Sequence, residues 1–148
     1  MKKWVKVVMT SLLLLGALPL LSGCSGEHRA RRQDAQQQEY LQECATNYWH
    51  AVRWRDLQRA VVFLRQPEEQ RKLASVLIRD PGPSLHDVQI YHLVFDTEKK
   101  EATAFVKYEL LSNRTATLEP VQLEQTWYLS QGRCYLKLGE KELDRWLE

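Results

Sequence analysis

The sequence predicts an α+β fold: three N-terminal helices packed on a mostly antiparallel four-stranded sheet. Three observations predict it. Between Asp34 and Leu77 apolar residues recur at three- and four-residue intervals, the period of an amphipathic helix. From Asp87 onward the period drops to two, that of a half-buried strand. The segments joining these later runs are too short for helical crossovers, so successive strands must pair antiparallel.

The elements follow in order. Asp34 suits the position before a helix, where its carboxylate accepts from an otherwise unbonded backbone N–H. A first helix is expected from Ala35 to about Trp54. Leu41, Ala45, Tyr48 and Val52 form its stripe, with Tyr40, Cys44 and Ala51 beside it. Asp56 is a second such cap, for a short helix carrying Leu57, Ala60, Val61 and Leu64. Pro67, followed by Glu68 and Glu69, opens a third. Proline lacks the N–H that a first helical turn leaves unbonded, and acids suit the positive end of the helix dipole. Leu73, Val76 and Leu77 give its apolar face, and Asp80-Pro81-Gly82-Pro83 ends it.

In the strand region, Asp87 to Phe95 carries apolar residues on both parities: Val88, Ile90 and Val94 on one, Tyr91, Leu93 and Phe95 on the other. After a polar turn, Asp96 to Lys100, a run of Ala102, Ala104, Val106, Tyr108 and Leu110 alternates with Thr103, Lys107 and Glu109. A longer connection, Ser112 to Pro120, is expected next. Val121, Leu123, Trp127 and Leu129 then alternate with Gln122, Glu124, Thr126 and Tyr128. Gln131-Gly132 reads as a tight hairpin turn, with Cys134, Leu136 and Leu138 on the return strand. The tail from Glu140 is expected to form one or two helical turns, with Leu143, Trp146 and Leu147 packed down.

A different segment precedes this body. Lys2, Lys3 and Lys6 stand before an apolar run, Val7 to Leu21, which ends in small residues. A charged start, an apolar stretch and a small-residue cut site are the marks of an export signal. The run is shorter than the ~20 residues that span a bilayer as a helix, and Pro19 disfavours a continuous one. Leu21-Ser22-Gly23-Cys24 resembles the lipobox of bacterial lipoproteins. That resemblance implies a lipid on the Cys24 thiol, cleavage before Cys24 and acylation of the new amino group. Residues 1–23 are then a lipoprotein signal peptide, 24–33 a lipidated tether and 34–148 a single α+β domain. Ser25, rather than an aspartate, follows the anchor, and the resemblance then implies the periplasmic face of the outer membrane. Arg29, Arg31 and Arg32 read either as part of a solvated tether or as contacts to anionic headgroups.

Removing residues 1–23 from 148 leaves 125, the size of one domain. It also removes three of the 21 lysines and arginines, leaving 18 against 19 acids and a net charge of −1. A near-neutral body of mixed sign argues against nucleic acid as a partner. Cys44 and Cys134 either pair, as an oxidising compartment permits, or stay as buried thiols among apolar neighbours.

Two stretches carry a second resemblance: YWHAVRWRDLQRAVVFL, Tyr48 to Leu64, and LEQTWYLSQGRCYLKL, Leu123 to Leu138. In the first, Tyr48 and Ala51 sit late in a long helix and Asp56 opens the next. In the second, a tryptophan-bearing strand meets a glycine turn and a return strand. The arrangement resembles the nuclear-transport-factor-two-like superfamily, in which a cone of helices closes on a curved sheet. Cys134 stands where many members carry an aromatic residue. The superfamily holds ketosteroid isomerases, dehydratases and many non-enzymes, so the resemblance implies a fold without fixing an activity.

A proton-transfer enzyme on such a fold needs a carboxylate or histidine facing the interior, with a donor for the developing oxyanion. Glu109 and Glu124 fall on the polar parity. Tyr48 and Tyr108 fall on the apolar ones, where a tyrosine is most often a core residue with a satisfied hydroxyl. His86 and His92, six residues apart on one strand, would lie ~20 Å apart, too far to share one zinc. No C-x-x-C, H-E-x-x-H or Asp-rich calcium loop occurs, and neither metal nor cofactor is expected. Ser84, His86 and Asp87 follow a Pro-Gly-Pro turn, and their adjacency is no triad, since triads are recognised by geometry. Trp49 and Trp54 lie about 140° apart around a helix. Either one of them faces outward, as contact surfaces often require, or the next two helices bury both.

The expectation is a lipid-anchored bacterial envelope protein, a non-catalytic binding or interaction module for an envelope protein or a small apolar ligand. Tyr48, Trp49, Trp54 and Tyr108 are its candidate contact or pocket aromatics. The alternative is an isomerase- or dehydratase-type enzyme using the cone pocket of the fold.

Overall fold

A computed structural model of the chain describes residues 25–79, 83–112 and 115–139, together with Leu143 and Trp146. Helices come first: α1 (Ser25–Arg53), the short α2 (Leu57–Val61) and α3 (Pro67–Leu77). Strands β1 (Ser84–Asp96), β2 (Glu101–Ser112), β3 (Thr117–Ser130) and β4 (Arg133–Lys137) follow and pair antiparallel in the order β1-β2-β3-β4. The class is α+β. Contacts divide the chain between Ala35 and Gln36.

The first helix begins ten residues earlier than its cap signal suggests. Asp34 lies inside α1, and the residues read as a tether are helical from Ser25. Arginine, alanine and glutamine dominate that stretch, and all three favour helix. A capping side chain is a local preference that such a run overrides.

At its other end α1 stops at Arg53, one residue before the expected Trp54. Arg55 takes a left-handed conformation at φ 57°. The Arg55 N–H bonds Val52 O at 3.0 Å and the Asp56 N–H bonds Ala51 O at 2.8 Å. These are the paired bonds of a Schellman stop, where glycine is the usual left-handed residue. Here an arginine holds the position. Its Nε donates to Leu77 O at 2.9 Å, and its Nη2 donates to Arg79 O. The guanidinium thus binds carbonyls at the end of α3, which offsets the ~1 kcal/mol that a left-handed L-residue costs. Asp56 caps α2, accepting from Arg59 N at 3.2 Å. Pro67 is the first residue of α3, as its missing N–H predicts. Residues 80–82, which include most of the expected stop signal, lie outside the described residues.

Two irregularities explain why β1 is apolar on both parities. The register with β2 slips between His86 and Gln89 and again between Ile90 and His92. Each slip is a bulge, which inserts a residue and moves those that follow to the opposite face. Leu85 faces the core before the first slip, Val88 and Ile90 pack against it between the two, and Leu93 and Phe95 do so after the second. Asp87, at φ 46°, sits in the first bulge.

The long connection expected before β3 is short. Strand β2 runs to Ser112 and β3 starts at Thr117, so Pro120 lies within β3, opposite Glu109. A proline is tolerated there because β4 pairs only with Thr126–Ser130. Among the described residues nothing pairs with that side of β3 around Pro120, and an unpaired edge needs no N–H. Gln131 and Gly132 both have positive φ, 52° and 74°. This is the double left-handed geometry of a tight hairpin, whose twist matches the flanking strands. At the β1–β2 turn, Asp96 Oδ1 accepts from the N–H groups of Glu98 and Lys99 at 3.0 and 3.1 Å. The Lys99 backbone bond, above all, holds the Asp96 carboxyl below the usual carboxylate range.

One core joins the layers. Leu41, Cys44, Ala45, Tyr48, Trp49, Ala51 and Val52 of α1 are buried, as are Leu73, Val76 and Leu77 of α3. They meet the inner sheet face: Ala102, Ala104, Val106 and Tyr108 of β2, Val121 and Trp127 of β3, and Leu136 of β4. Cys44 and Cys134 form a disulfide with their Cα atoms 6.4 Å apart, tying α1 to β4 across 90 residues of chain. A loop of that length confers about 4 kcal/mol in the chain-entropy account.

Candidate functional site

The residues singled out from the sequence fall into two places. Tyr48, Trp49 and Tyr108 share the interior between helices and sheet, whereas Trp54 does not join them. The Trp49 and Tyr108 rings lie 5.2 Å apart between centroids, and Tyr48 meets Trp49 edge-on at 5.7 Å. Three further rings complete the cluster. Phe63 and Trp127 both contact Tyr48 edge-on, and Trp146 contacts Trp49 and Tyr108. Edge-to-face pairs of this kind add about 0.5–1.5 kcal/mol each beyond area burial.

Two of the tryptophan N–H groups of this interior are used locally. Trp49 Nε1 donates to Gln125 Oε1 at 2.8 Å, and Trp146 Nε1 donates to the Tyr108 hydroxyl at 2.8 Å. Gln125 is the buried polar residue among the described ones. Among the described residues Trp127 Nε1 has no hydrogen-bond partner. No described histidine or carboxylate is buried in this space.

Trp54 is 69% exposed, just beyond α1, while Trp49 is 2% exposed. The 140° between them has separated one ring into the core and the other into solvent. His50 lies 6.3 Å from the Trp54 ring, and the Arg53 guanidinium sits 6.0 Å above it.

The outer face of the sheet carries rings that alternation alone did not single out. Phe105 lies 6.1 Å from Tyr91 and 5.8 Å from His92. Tyr91, the residue bulged out of register, is 57% exposed. Across the Thr103–Thr126 pair, Tyr128 and Tyr135 stand 5.7 Å apart. Lys137 Nζ lies 5.7 Å from the Tyr128 ring, the Arg65 guanidinium 6.0 Å from that of Tyr135. The signal for this face was present in the sequence: an aromatic on the polar parity of each of β2, β3 and β4.

A groove of about 550 Å³ runs along the start of α3, lined by Gln66, Glu68, Arg71, Lys72, Leu138 and Leu143 among others. None of the residues expected to matter lines it. Lys72 Nζ lies 3.6 Å from Glu68, and Arg71 Nε donates to the backbone carbonyl of Pro67 at 3.3 Å. Ser84, His86 and Asp87 lie in β1. Ser84 Oγ is 3.1 Å from His86 Nε2, but Asp87 Oδ1 accepts from Gln89 Nε2 at 2.9 Å. The three do not form a relay. No group of three metal-ligating side chains occurs among the described residues. Cys24 lies outside them, and no described helix is long and apolar enough to cross a membrane.

No family model, curated protein or solved structure matches the chain.

Proposed function

We propose that this chain is a lipid-anchored bacterial envelope protein that works by binding a partner protein rather than by catalysis. Residues 1–23 direct export, acyl chains on Cys24 hold the protein at the periplasmic face of the outer membrane, and the body is a nuclear-transport-factor-two-like domain with a curved sheet. Helices followed by a four-stranded meander support that last assignment, as does the tryptophan-bearing strand before a glycine turn. Leu21-Ser22-Gly23-Cys24, at the end of an apolar run, supports the first two.

One observation carries the choice of binding over catalysis. Six rings fill the space that would be the active site of such a domain: Tyr48, Trp49, Phe63, Tyr108, Trp127 and Trp146. The isomerase- or dehydratase-type alternative needs a titratable group there, held ready for proton transfer. Two polar groups of that interior, Gln125 Oε1 and the Tyr108 hydroxyl, instead accept from tryptophan N–H donors. Recognition then falls to the surface, where Tyr91, exposed on the outer face, and the half-buried Phe105 beside it offer aromatic area.

Two experiments test the two halves. Metabolic labelling with a fatty acid should mark the wild-type protein and not Cys24→Ala; equal labelling refutes the anchor. Crosslinking in intact envelopes should recover a reproducible protein partner with wild type. A Tyr91→Ala, Phe105→Ala double variant should lose it, and retention at wild-type yield refutes the outer-face assignment.

A further inference from the structure

The helical state of residues 25–35 organises charges that the sequence leaves as a cluster. At 100° per residue, His28, Arg29, Arg31 and Arg32 fall within an arc of about 160° on α1. Glu27 and Asp34 fall outside that arc, beside its Arg31 edge, four residues before Arg31 and three after it. His28 and the three arginines are exposed. Among the described residues no carboxylate forms an ion pair with these arginines. This stretch therefore presents a cationic arc, His28, Arg29 and Arg32, whose Arg31 edge is flanked by the two acids.

The rest of the molecule has the opposite bias. Of the 18 basic and 19 acidic residues after position 23, three and two lie in residues 25–35, which leaves 15 against 17 in residues 36–148. A negatively charged surface attracts the first segment and repels the second. Position decides which surface that is. Arg32 is seven residues beyond Ser25, about 10 Å of helical rise. The ~8 Å Debye length at physiological ionic strength falls between Arg29, about 6 Å of rise beyond Ser25, and Arg32, so a charged surface at the start of α1 acts most on Arg29 and least on Arg32.

We propose that the His28–Arg32 face of α1 binds the phosphates of anionic phospholipid headgroups, in the leaflet that carries the acyl chains of Cys24. The proposal rests on the lipid-anchor reading. It assigns these residues as the second membrane signal of a two-part anchor: acyl chains supply depth, and the cationic face selects an anionic surface.

The test installs the lipid chemically. The polypeptide Cys24–Glu148 contains the whole buried core, which starts at Leu41, and with Cys44 and Cys134 bridged it has one free thiol. A single myristoyl chain coupled to that thiol gives only marginal binding by itself. Partitioning is then measured into vesicles of phosphatidylcholine and into vesicles with one-third phosphatidylglycerol. The expected preference for the anionic vesicles is about 100-fold, from three arginines near the surface. It should fall to a few-fold in Arg29→Gln, Arg31→Gln, Arg32→Gln and in high salt, and rise in Glu27→Gln, Asp34→Asn. Equal partitioning overturns the proposal, as does a preference that survives the triple substitution. A preference abolished by inorganic phosphate at matched ionic strength also overturns it, because it points to a free-phosphate site. Since the acyl chain is supplied in vitro, these outcomes do not depend on whether the cell acylates Cys24, which fatty-acid labelling reports separately.

Discussion

The two faces of the sheet use the same strands and the same kinds of residue to opposite ends. On the inner face Tyr108 and Trp127 are fully buried, their rings packed against Tyr48, Trp49, Phe63 and Trp146. On the outer face Tyr91, Phe105, Tyr128 and Tyr135 pair two by two and stay partly open to solvent. The inner rings are fixed by neighbours on every side and contribute stability. The outer rings keep free surface and can still gain by contact. Aromatic content alone therefore says little about function here. Which parity carries the ring, and what covers it, says more.

The largest expected effect compares one ring from each face. Trp127→Ala removes a side chain with no exposed surface and should cost about 4–5 kcal/mol, the upper end for tryptophan truncation in a core. Phe105→Ala, on the outer face, should cost no more than about 1 kcal/mol. Urea midpoints of the two variants check this. Similar losses would mean that the outer face is covered by something in the folded protein, and the comparison would fail.

Next comes the covalent link at the inner face. Replacing Cys44 and Cys134 by alanine should lower stability by about 4 kcal/mol, given the 90-residue separation. Reductant should do the same to wild type and nothing to the double variant. Intact mass with and without reductant establishes the bridge directly: reduced and alkylated protein should gain two labels that the unreduced protein lacks.

A finer contrast lies within the inner face. Trp49→Phe and Trp127→Phe remove the same atoms, but only Trp49 Nε1 has a hydrogen-bond partner among the described residues, Gln125. The first substitution takes that donor from a buried amide, while the second removes a buried N–H that nothing described satisfies. Trp49→Phe should be the more destabilising by about 1 kcal/mol, the net worth of one hydrogen bond. Equal midpoints would show that the Trp49–Gln125 bond contributes nothing net.

Much of the inner face was legible in the sequence. The stripe Leu41, Ala45, Tyr48, Val52 and the run Ala102 to Tyr108 both face the core as their periods require, and Asp56 and Pro67 open α2 and α3. The failures divide by physical cause: one is local, and the others depended on a partner distant in sequence. Asp34 has the chemistry of a helix cap, but the helix formers just upstream of it extend α1 to Ser25. Pro120 looked like a loop because the short reach of β4 is not visible from β3. The two-sided β1 was ambiguous because bulges are set by pairing with β2. The candidate site was legible only in part. Helical spacing separated Trp49 from Trp54, but Trp146 and Gln125 join the interior through tertiary contacts that no local period encodes.

The smallest effect belongs to the outer face and depends on pH. Asp96 follows Val94 on the outer parity of β1, at the turn into β2, with its carboxylate bonded to the N–H groups of Glu98 and Lys99. Those bonds favour the charged form and lower its pKa in the folded state relative to the unfolded chain. The stabilisation they give is complete above the unfolded value, about 3.9, and is lost as pH falls through the lower folded value. Stability should therefore decline slightly in acid below about pH 4. Asp96→Asn, which keeps an acceptor oxygen but not the charge, should remove that part of the decline while leaving the fold intact. Denaturant midpoints at neutral pH and in acid, for both proteins, make the comparison. The same acid sensitivity in both would assign it to other carboxylates and leave the turn as a neutral hydrogen-bonded cap.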